Sequence, residues 1–507
     1  MKKPSSQSPE SPREARSAAP RRAEAAEALS PLLTDLYQLT MACGYWKHGM
    51  DRREAVFDLF FRANPFQGGF AVACGLEEVV RFVEGFRFRR SELDWLADLR
   101  AADGAPLFEE AFLKRLSRLR FTGDIDAIPE GSPVFPHEPL LRVEGPLMEC
   151  QLLETALLNL IGFSTLVATK AARVCLAAEG DPVLEFGLRR AQGPNGGLTA
   201  SRAAYVGGCA GVSNVLAGMR YGIPVRGTHA HSWVLAFGDE RQAFEAFARA
   251  MPHNCTLLVD TFDSIAGVRR AIQTAKRLRS EGVRLLGVRL DSGDLAWLSR
   301  QARRMLDEAG LQEAVIVASN DLDERAIAEL KRQGAAINVW GVGTRLVTAY
   351  DQPALGCVYK LARIREPDGA WRECMKLSDE TAKTSVPGRR QVRRFSLEGR
   401  YIADAIFDLS RPPPPRWRIV DPADPIRRKD IPPEAEGEDL LQPIFRRGER
   451  VWAAPPLDET RARTGRELQR LDPGILRFVN PNRYPAGLEE SLFERRQRLI
   501  DCLRGGG

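Results

Sequence analysis

Histidine is scarce in this chain, five among 507 residues, and cysteine carries no pattern. The nine cysteines, at positions 43, 74, 150, 175, 209, 255, 357, 374 and 502, are odd in number and never spaced C-x-x-C. That excludes a zinc knuckle and a disulfide framework, and it predicts a reducing, cytoplasmic compartment. No Walker A loop occurs, so ATP use cannot be read from that motif. No apolar run approaches the length of a membrane span. Charge of one sign is also lacking: 73 basic against 67 acidic residues leave +6, with the two signs mostly interleaved. A dedicated nucleic-acid binder shows a stronger basic block, so solvated helix faces account for this charge. Residues 1–29 have no apolar core, and Glu10, Glu14, Glu24 and Glu27 argue against a transit peptide, which predicts a disordered tail.

What remains is an ordinary globular composition, 44% hydrophobic and 28% charged, long enough for two or three domains. Residues 30–150 read as an α/β domain. Thr34 or Asp35 is placed to cap a helix carrying Leu36, Leu39 and Met41, with Tyr37 off that face. Ala55–Arg62 reads as a strand before the turn Asn64-Pro65-Phe66-Gln67-Gly68-Gly69. From residue 151 to 361 a repeat sets in. Apolar runs at 182–186, 223–227, 255–260, 284–290, 314–318, 335–340 and 356–361 alternate with helical patterns at 200–221, 239–251, 264–280, 294–309 and 321–333. Strands apolar throughout, separated by amphipathic helices, imply a parallel sheet covered by helices. With six or seven units, a closed or nearly closed βα barrel is favoured over a doubly wound sheet. Residues 362–507 read as β-hairpin, Pro-rich and helical segments that complete the first domain or lie beside it.

The polar residues stand where α/β proteins put their chemistry, just after strands. They are Phe186-Gly187-Leu188-Arg189-Arg190, Gly227-Thr228-His229-Ala230-His231-Ser232, Asp260-Thr261-Phe262-Asp263-Ser264, Arg289-Leu290-Asp291-Ser292-Gly293-Asp294, Ser319-Asn320-Asp321 and Gly341-Val342-Gly343-Thr344. Paired arginines can grip an anion bidentately, and a helix starting after Thr199-Ala200-Ser201 would add oriented N–H groups. A small-residue loop lets backbone N–H groups approach a phosphate. Asp or Ser after a strand is also an ordinary helix cap, so no one of these motifs decides anything. His229 and His231 lack a third ligand set, which disfavours a histidine metal site. An aldolase or glycosidase would need a strand-end Schiff-base lysine or a paired glutamate; Lys360 and Glu185 are the nearest residues, and Glu185 has no partner.

The stretches TDLYQLTMACGYW, FGLRRAQGPNGG, GTHAHSWV, VDTFDS, VRLDSGDL, GVGTRLVTAYDQPALGCVYKL and KLSDETAKTSVPGRRQVRRF resemble those of the nicotinate phosphoribosyltransferase family. The resemblance runs from Pro31 to Phe395, with a weaker echo in VNPNRYPAG and the terminal helix. It implies a barrel of the quinolinate/nicotinate phosphoribosyltransferase type, with a separate N-terminal α/β domain completed by C-terminal segments. It also implies formation of nicotinate mononucleotide and pyrophosphate from nicotinate and 5-phosphoribosyl 1-diphosphate, in NAD biosynthesis, with coupled hydrolysis of ATP and with Mg²⁺. By the same resemblance His231 is the transiently phosphorylated residue, while His229 at a variable position leaves open which imidazole reacts. Asp291 and Asp294, with Asp260 as a further candidate, would face the ribose or its metal. Arg189 and Arg289 would hold the nicotinate carboxylate or phosphates, Phe186 would stack on the pyridine ring, and Thr228 and Asn320 would touch substrate. Gly341, Gly343 and Thr344 would cradle the 5-phosphate. Tyr37 would reach the base from a neighbouring subunit, which implies a homodimer with a shared site.

Overall fold

A computed structural model describes residues 29–378 and 384–505. The expected tail therefore lies outside the described residues except for Leu29, as do residues 379–383 of the KLSDETAKTSVPGRRQVRRF stretch.

The repeat forms a barrel. Six parallel strands stand side by side in the order Gly211–Val212, Val183–Glu185, Val339–Val342, Val315–Ala318, Gly287–Leu290 and Thr256–Leu258. Val225 adds a seventh position through one parallel bridge to Val212. The strands are buried because helices cover them from outside. In Ser264–Leu278 the buried residues Val268, Ala271, Ile272 and Ala275 recur at three- and four-residue spacing, the stripe a core-facing helix needs. Asp239, Asp263, Asp294 and Asp323 each cap the helix that follows them by accepting a backbone N–H.

The ring has a seam. Among the described residues no ladder or bridge joins the Val225 segment to Thr256–Leu258. Side chains cross it instead: Asn254 Nδ2 donates to Gly227 O at 3.0 Å, and Leu258 N–H donates to His229 Nε2 at 3.1 Å. Further up, His231 Nδ1 lies 3.2 Å from Thr261 Oγ1.

Four expectations are corrected. The helical pattern at 200–221 is two helices, Gly193–Val206 and Val215–Tyr221, with the strand Gly211–Val212 between them. The first helix begins at Gly193, before Thr199, because Pro194 suits the first turn of a helix. The run 356–361 is no barrel strand: Cys357–Arg365 pairs antiparallel with Glu54–Phe61, Phe57 opposite Leu361. Finally, Glu154–Ala177 is 24 residues long and apolar enough by composition to cross a membrane, but 72% of its most apolar window is buried inside the protein. Its Lys170 and Arg173 are buried too, both paired with Glu324 at 2.7 and 2.9 Å.

The N-terminal domain is centred on a seven-stranded antiparallel sheet drawn from both ends of the chain. Its order is Trp371–Glu373, Cys357–Arg365, Glu54–Phe61, Leu141–Pro146, Asp124–Ala127, Gln442–Arg446 and Glu449–Arg450. A second sheet of six strands, centred on the hairpin Arg390–Leu397 and Arg400–Asp408, lies beside it. Val392, Ile406 and Leu488 of that sheet share one core with Phe57, Leu141 and Val143. Leu468, Leu471 and Ile475 join the barrel core instead. The C-terminal residues thus complete the first sheet, build a sheet of their own and reach the barrel.

Candidate functional site

All the polar loops open at the C-terminal ends of the parallel strands. At the centre, Arg289 on the Gly287–Leu290 strand donates from Nε to Ser319 Oγ at 2.8 Å and from Nη2 to Asp291 Oδ1 at 3.1 Å. The Ser319 hydroxyl also donates to Asp291 Oδ1. Its guanidinium lies over the Phe186 ring, 5.7 Å from the centroid. The ring itself is seated by a glycine: a Cβ on Gly341 would come within 2.8 Å of Phe186 Cδ2, closer than such contacts allow. Arginine and aromatic ring thus meet at a right place for a flat, anionic aromatic ligand.

His231 opens the helix His231–Phe237, with Nε2 3.7 Å from Asp291 Oδ2 and 4.0 Å from Asp260 Oδ1. Its side chain is 41% exposed and Asp291 is 27% exposed, whereas Asp260 is only 1% exposed. Asp260 Oδ2 accepts Asp291 N–H at 2.9 Å and Ser292 Oγ–H at 2.7 Å. Its Oδ1 is buried without a hydrogen-bond partner. An orphaned buried carboxylate oxygen is costly, and it faces the rim.

His229 is a different kind of histidine. It is buried, its Nε2 accepts the Leu258 N–H, and its Nδ1 lies 3.3 Å from Ala230 O. An accepting Nε2 requires the neutral ring with the proton on Nδ1. Burial, with Arg289 and His231 nearby, pushes its pKa below the ordinary histidine range. Of the two imidazoles, only that of His231 is open to solvent.

The remaining expected residues fall around this centre with varying closeness. Asn320, exposed at the end of the next strand, has φ 117, a conformation that side chains rarely adopt and that clusters at functional positions. Gly343 and Thr344 begin the short helix Thr344–Val347 after the neighbouring strand. Thr228 is half-buried, its hydroxyl 3.4 Å from His229 O. Arg189 sits exposed in the turn Leu188–Arg190, outside the hydrogen-bonded centre. Tyr37 lies far down the chain, on the helix Leu36–Lys47, and is 49% exposed beside exposed Leu33, Leu36 and Met41. Asp294 is not drawn in: its Oδ1 accepts Trp297 N–H at 3.0 Å as a helix cap. Conversely, Ser319 and Thr261 hold Arg289, Asp291 and His231 but stood out in the sequence only as small polar residues after strands.

Two alternatives lose their residues. Lys360 belongs to the antiparallel sheet, not to the barrel. Glu185 is fully buried, bonded to Gly187 N–H and to Ser201 Oγ at 2.7 Å, with its carboxyl raised above the usual range by burial.

Three family models match in succession: the nicotinate phosphoribosyltransferase N-terminal domain over residues 32–162, the nicotinate phosphoribosyltransferase family over 182–394, and the C-terminal domain over 389–496. Nicotinate phosphoribosyltransferase of Bacillus subtilis is 42% identical over 476 residues, covering 92% of this chain and 95% of that one. The crystal structure of human nicotinic acid phosphoribosyltransferase superposes with a TM-score of 0.80 at 35% identity, over 92% of this chain and 99% of the other. A nicotinate-nucleotide pyrophosphorylase from Pyrococcus furiosus shares the fold, with a TM-score of 0.65 at 23% identity, over 87% and 95% of the two chains.

Proposed function

The chain belongs to the nicotinate phosphoribosyltransferase family, and from that premise we propose that it makes nicotinate mononucleotide and pyrophosphate from nicotinate and 5-phosphoribosyl 1-diphosphate, a step of NAD biosynthesis, with ATP hydrolysed through a phosphohistidine at His231. The observation that carries this reading is the rim centre: His231, Asp291, Arg289 and Phe186 joined by successive contacts at one end of the barrel.

In this mechanism nicotinate lies against Phe186 with its carboxylate on Arg289. Arg289 spends Nε on Ser319 and one Nη2 hydrogen on Asp291, which fixes the plane of its guanidinium and leaves Nη1 for the ligand. Arg189 adds a second cation, and Thr228 a hydroxyl, at the edge of the base. Gly343, Thr344 and Asn320 take the 5-phosphate, with Gly341 letting the ring of Phe186 sit close. As pyrophosphate leaves C1, positive charge develops on the ribose, and the carboxylates of Asp291 and Asp260 stabilise it while the pyridine nitrogen bonds to C1. The hard oxygens of Asp260 and Asp291, one of them without a hydrogen-bond partner, would hold Mg²⁺, which would supply positive charge against the departing diphosphate. His231 attacks the terminal phosphorus of ATP through a ring nitrogen, releasing ADP, and water later cleaves the N–P bond.

Tyr37 and its exposed apolar neighbours support a homodimer in which a second copy covers the base. Nine free cysteines support a reducing, cytoplasmic setting.

The decisive test is nucleotide formation from nicotinate or nicotinamide, each with and without ATP, for the parent and His231→Ala. Turnover of nicotinate that ATP accelerates is expected, with the acceleration lost in the variant. No product from either base would overturn the activity, and an undiminished ATP effect in His231→Ala would overturn the role of that residue.

A further inference from the structure

The barrel seam falls beside the proposed reactive histidine, and one side chain spans it with both ring nitrogens. His229 Nε2 accepts the N–H of Leu258, two residues before Asp260 on the Thr256–Leu258 side. Its Nδ1–H points at Ala230 O, 3.3 Å away. Ala230 is the N-cap of the helix that begins with His231, and its carbonyl also receives the Trp233 N–H at 3.0 Å. One imidazole therefore ties the peptide before His231 to the strand end that leads to Asp260. No backbone hydrogen bond makes that connection among the described residues.

The ring is held so that it can do this in one orientation only. Phe247 lies 4.7 Å away between centroids at 59°, and Phe244 lies at 6.3 Å, both on the helix Glu240–Ala250. A histidine is 8% exposed here where an apolar residue would fill the same volume. What histidine adds over such a residue is an acceptor for the Leu258 N–H, which would otherwise be buried and unpaired.

We propose that His229 is a positioning residue: a neutral clasp across the barrel seam that sets His231 opposite Asp260 and Asp291. The proposal rests on the phosphohistidine reading of His231 and adds, beside the His231–Thr261 contact at 3.2 Å, a second element that fixes its distance to the carboxylates. Asn254, which crosses the same seam to Gly227 O from an exposed position, is a lesser stitch.

The test compares His229→Leu, which keeps apolar volume without an acceptor, with His229→Gln, whose carbonyl oxygen can reach the place of Nε2. Amide hydrogen exchange at Leu258 reads the clasp directly, and ATP-stimulated turnover of nicotinate reads its consequence. In His229→Leu, Leu258 exchange is expected to accelerate at least about tenfold. In the same variant kcat should fall by about tenfold to a hundredfold, as for a displaced catalytic group, with KM for nicotinate within about twofold. In His229→Gln, Leu258 stays protected and kcat returns to within about threefold of the parent. A His229→Leu enzyme with exposed Leu258 and parental kcat overturns the proposal, as does a His229→Gln enzyme that keeps the protection and loses the rate. Should His229→Leu fail to fold, the glutamine variant decides alone by the same two readings. If the parent forms no nicotinate mononucleotide, the proposed function falls, and parental Leu258 exchange no slower than that of the exposed rim overturns the clasp separately.

Discussion

Arginine and carboxylate meet in two regions of this molecule under opposite conditions. In the second sheet and where it meets the first, Arg394 binds Asp404 at 2.6 Å across one hairpin and Arg390 binds Asp58 at 2.8 Å between the sheets, with every side chain at most 1% exposed. Tyr484 donates to the same Asp404 at 2.8 Å, and burial together with Asp404 pushes the neighbouring Glu138 carboxyl well above its ordinary range. At the barrel rim the same residue types remain half-open: Arg289 is 17% and Asp291 27% exposed. Charges that water cannot reach are committed to each other, and losing one strands the other. Charges at the rim can trade partners with an arriving ligand at little cost. The first arrangement fixes the second sheet and its contact with the first; the second suits chemistry.

The largest effect expected is among the buried charges. Asp404→Ala should cost about 3–5 kcal/mol in denaturant unfolding, since Arg394 and Tyr484 lose their shared acceptor inside the protein. A loss no larger than that of a rim substitution would erase the distinction between the two regions.

Next comes acidity. His137, buried near Arg390, Arg496 and Arg62, has its pKa lowered from 6.5 to about 4 by burial first and those arginines second. The unfolded chain therefore binds a proton that the folded one refuses, so stability falls as pH drops below 6.5 and the loss saturates below about 4. The expected cost from this group is about 2 kcal/mol by pH 5 and about 3 kcal/mol at the acid limit. His137→Asn tolerates the φ of 72 at this position and should flatten the curve by that amount; an unchanged pH profile would show that the cationic junction does not exclude the proton.

At the rim, Arg289→Lys keeps the charge and loses the planar fork. Discrimination between nicotinate and nicotinamide, read as the ratio of kcat/KM, should shrink about tenfold, or about 1.4 kcal/mol. The smallest effect belongs to Asp294→Ala, which should cost about 1 kcal/mol of stability as a lost cap and leave kcat within about threefold. A much larger fall in kcat would return Asp294 to the chemistry.

Asp294 and Asp260 show why the site was only partly legible in the sequence. Both follow barrel strands, and a carboxylate there is equally a cap or a catalyst until its direction is known. Asp260 turns inward and Asp294 turns to its own helix, a difference of side-chain rotation that no spacing encodes. The barrel strands themselves were readable because burial on both faces writes a continuous apolar run. Gly211–Val212 was hidden for the opposite reason, since two paired residues inside a helical stretch leave no pattern of their own. Cys357–Arg365 looked like one more barrel strand because its apolar run does not say which sheet it joins, and its partner Glu54–Phe61 lies some three hundred residues earlier. Ser319 and Thr261 were overlooked as small hydroxyl residues whose importance lies wholly in what they touch.

That distant pairing also orders events during synthesis. The sheet that begins at Glu54 cannot acquire its Cys357–Arg365 neighbour, nor the Gln442–Arg446 strand on its other side, until most of the chain has left the ribosome. The barrel strands between them pair within one contiguous stretch, and Leu468, Leu471 and Ile475 join their core only later. Although second in the sequence, the barrel can be first to fold, while the leading strands wait with open edges that invite wrong partners. A stalled chain ending near residue 350 would carry every barrel strand behind an unfinished sheet, and protection of those waiting edges becomes a task for the cell rather than for the fold.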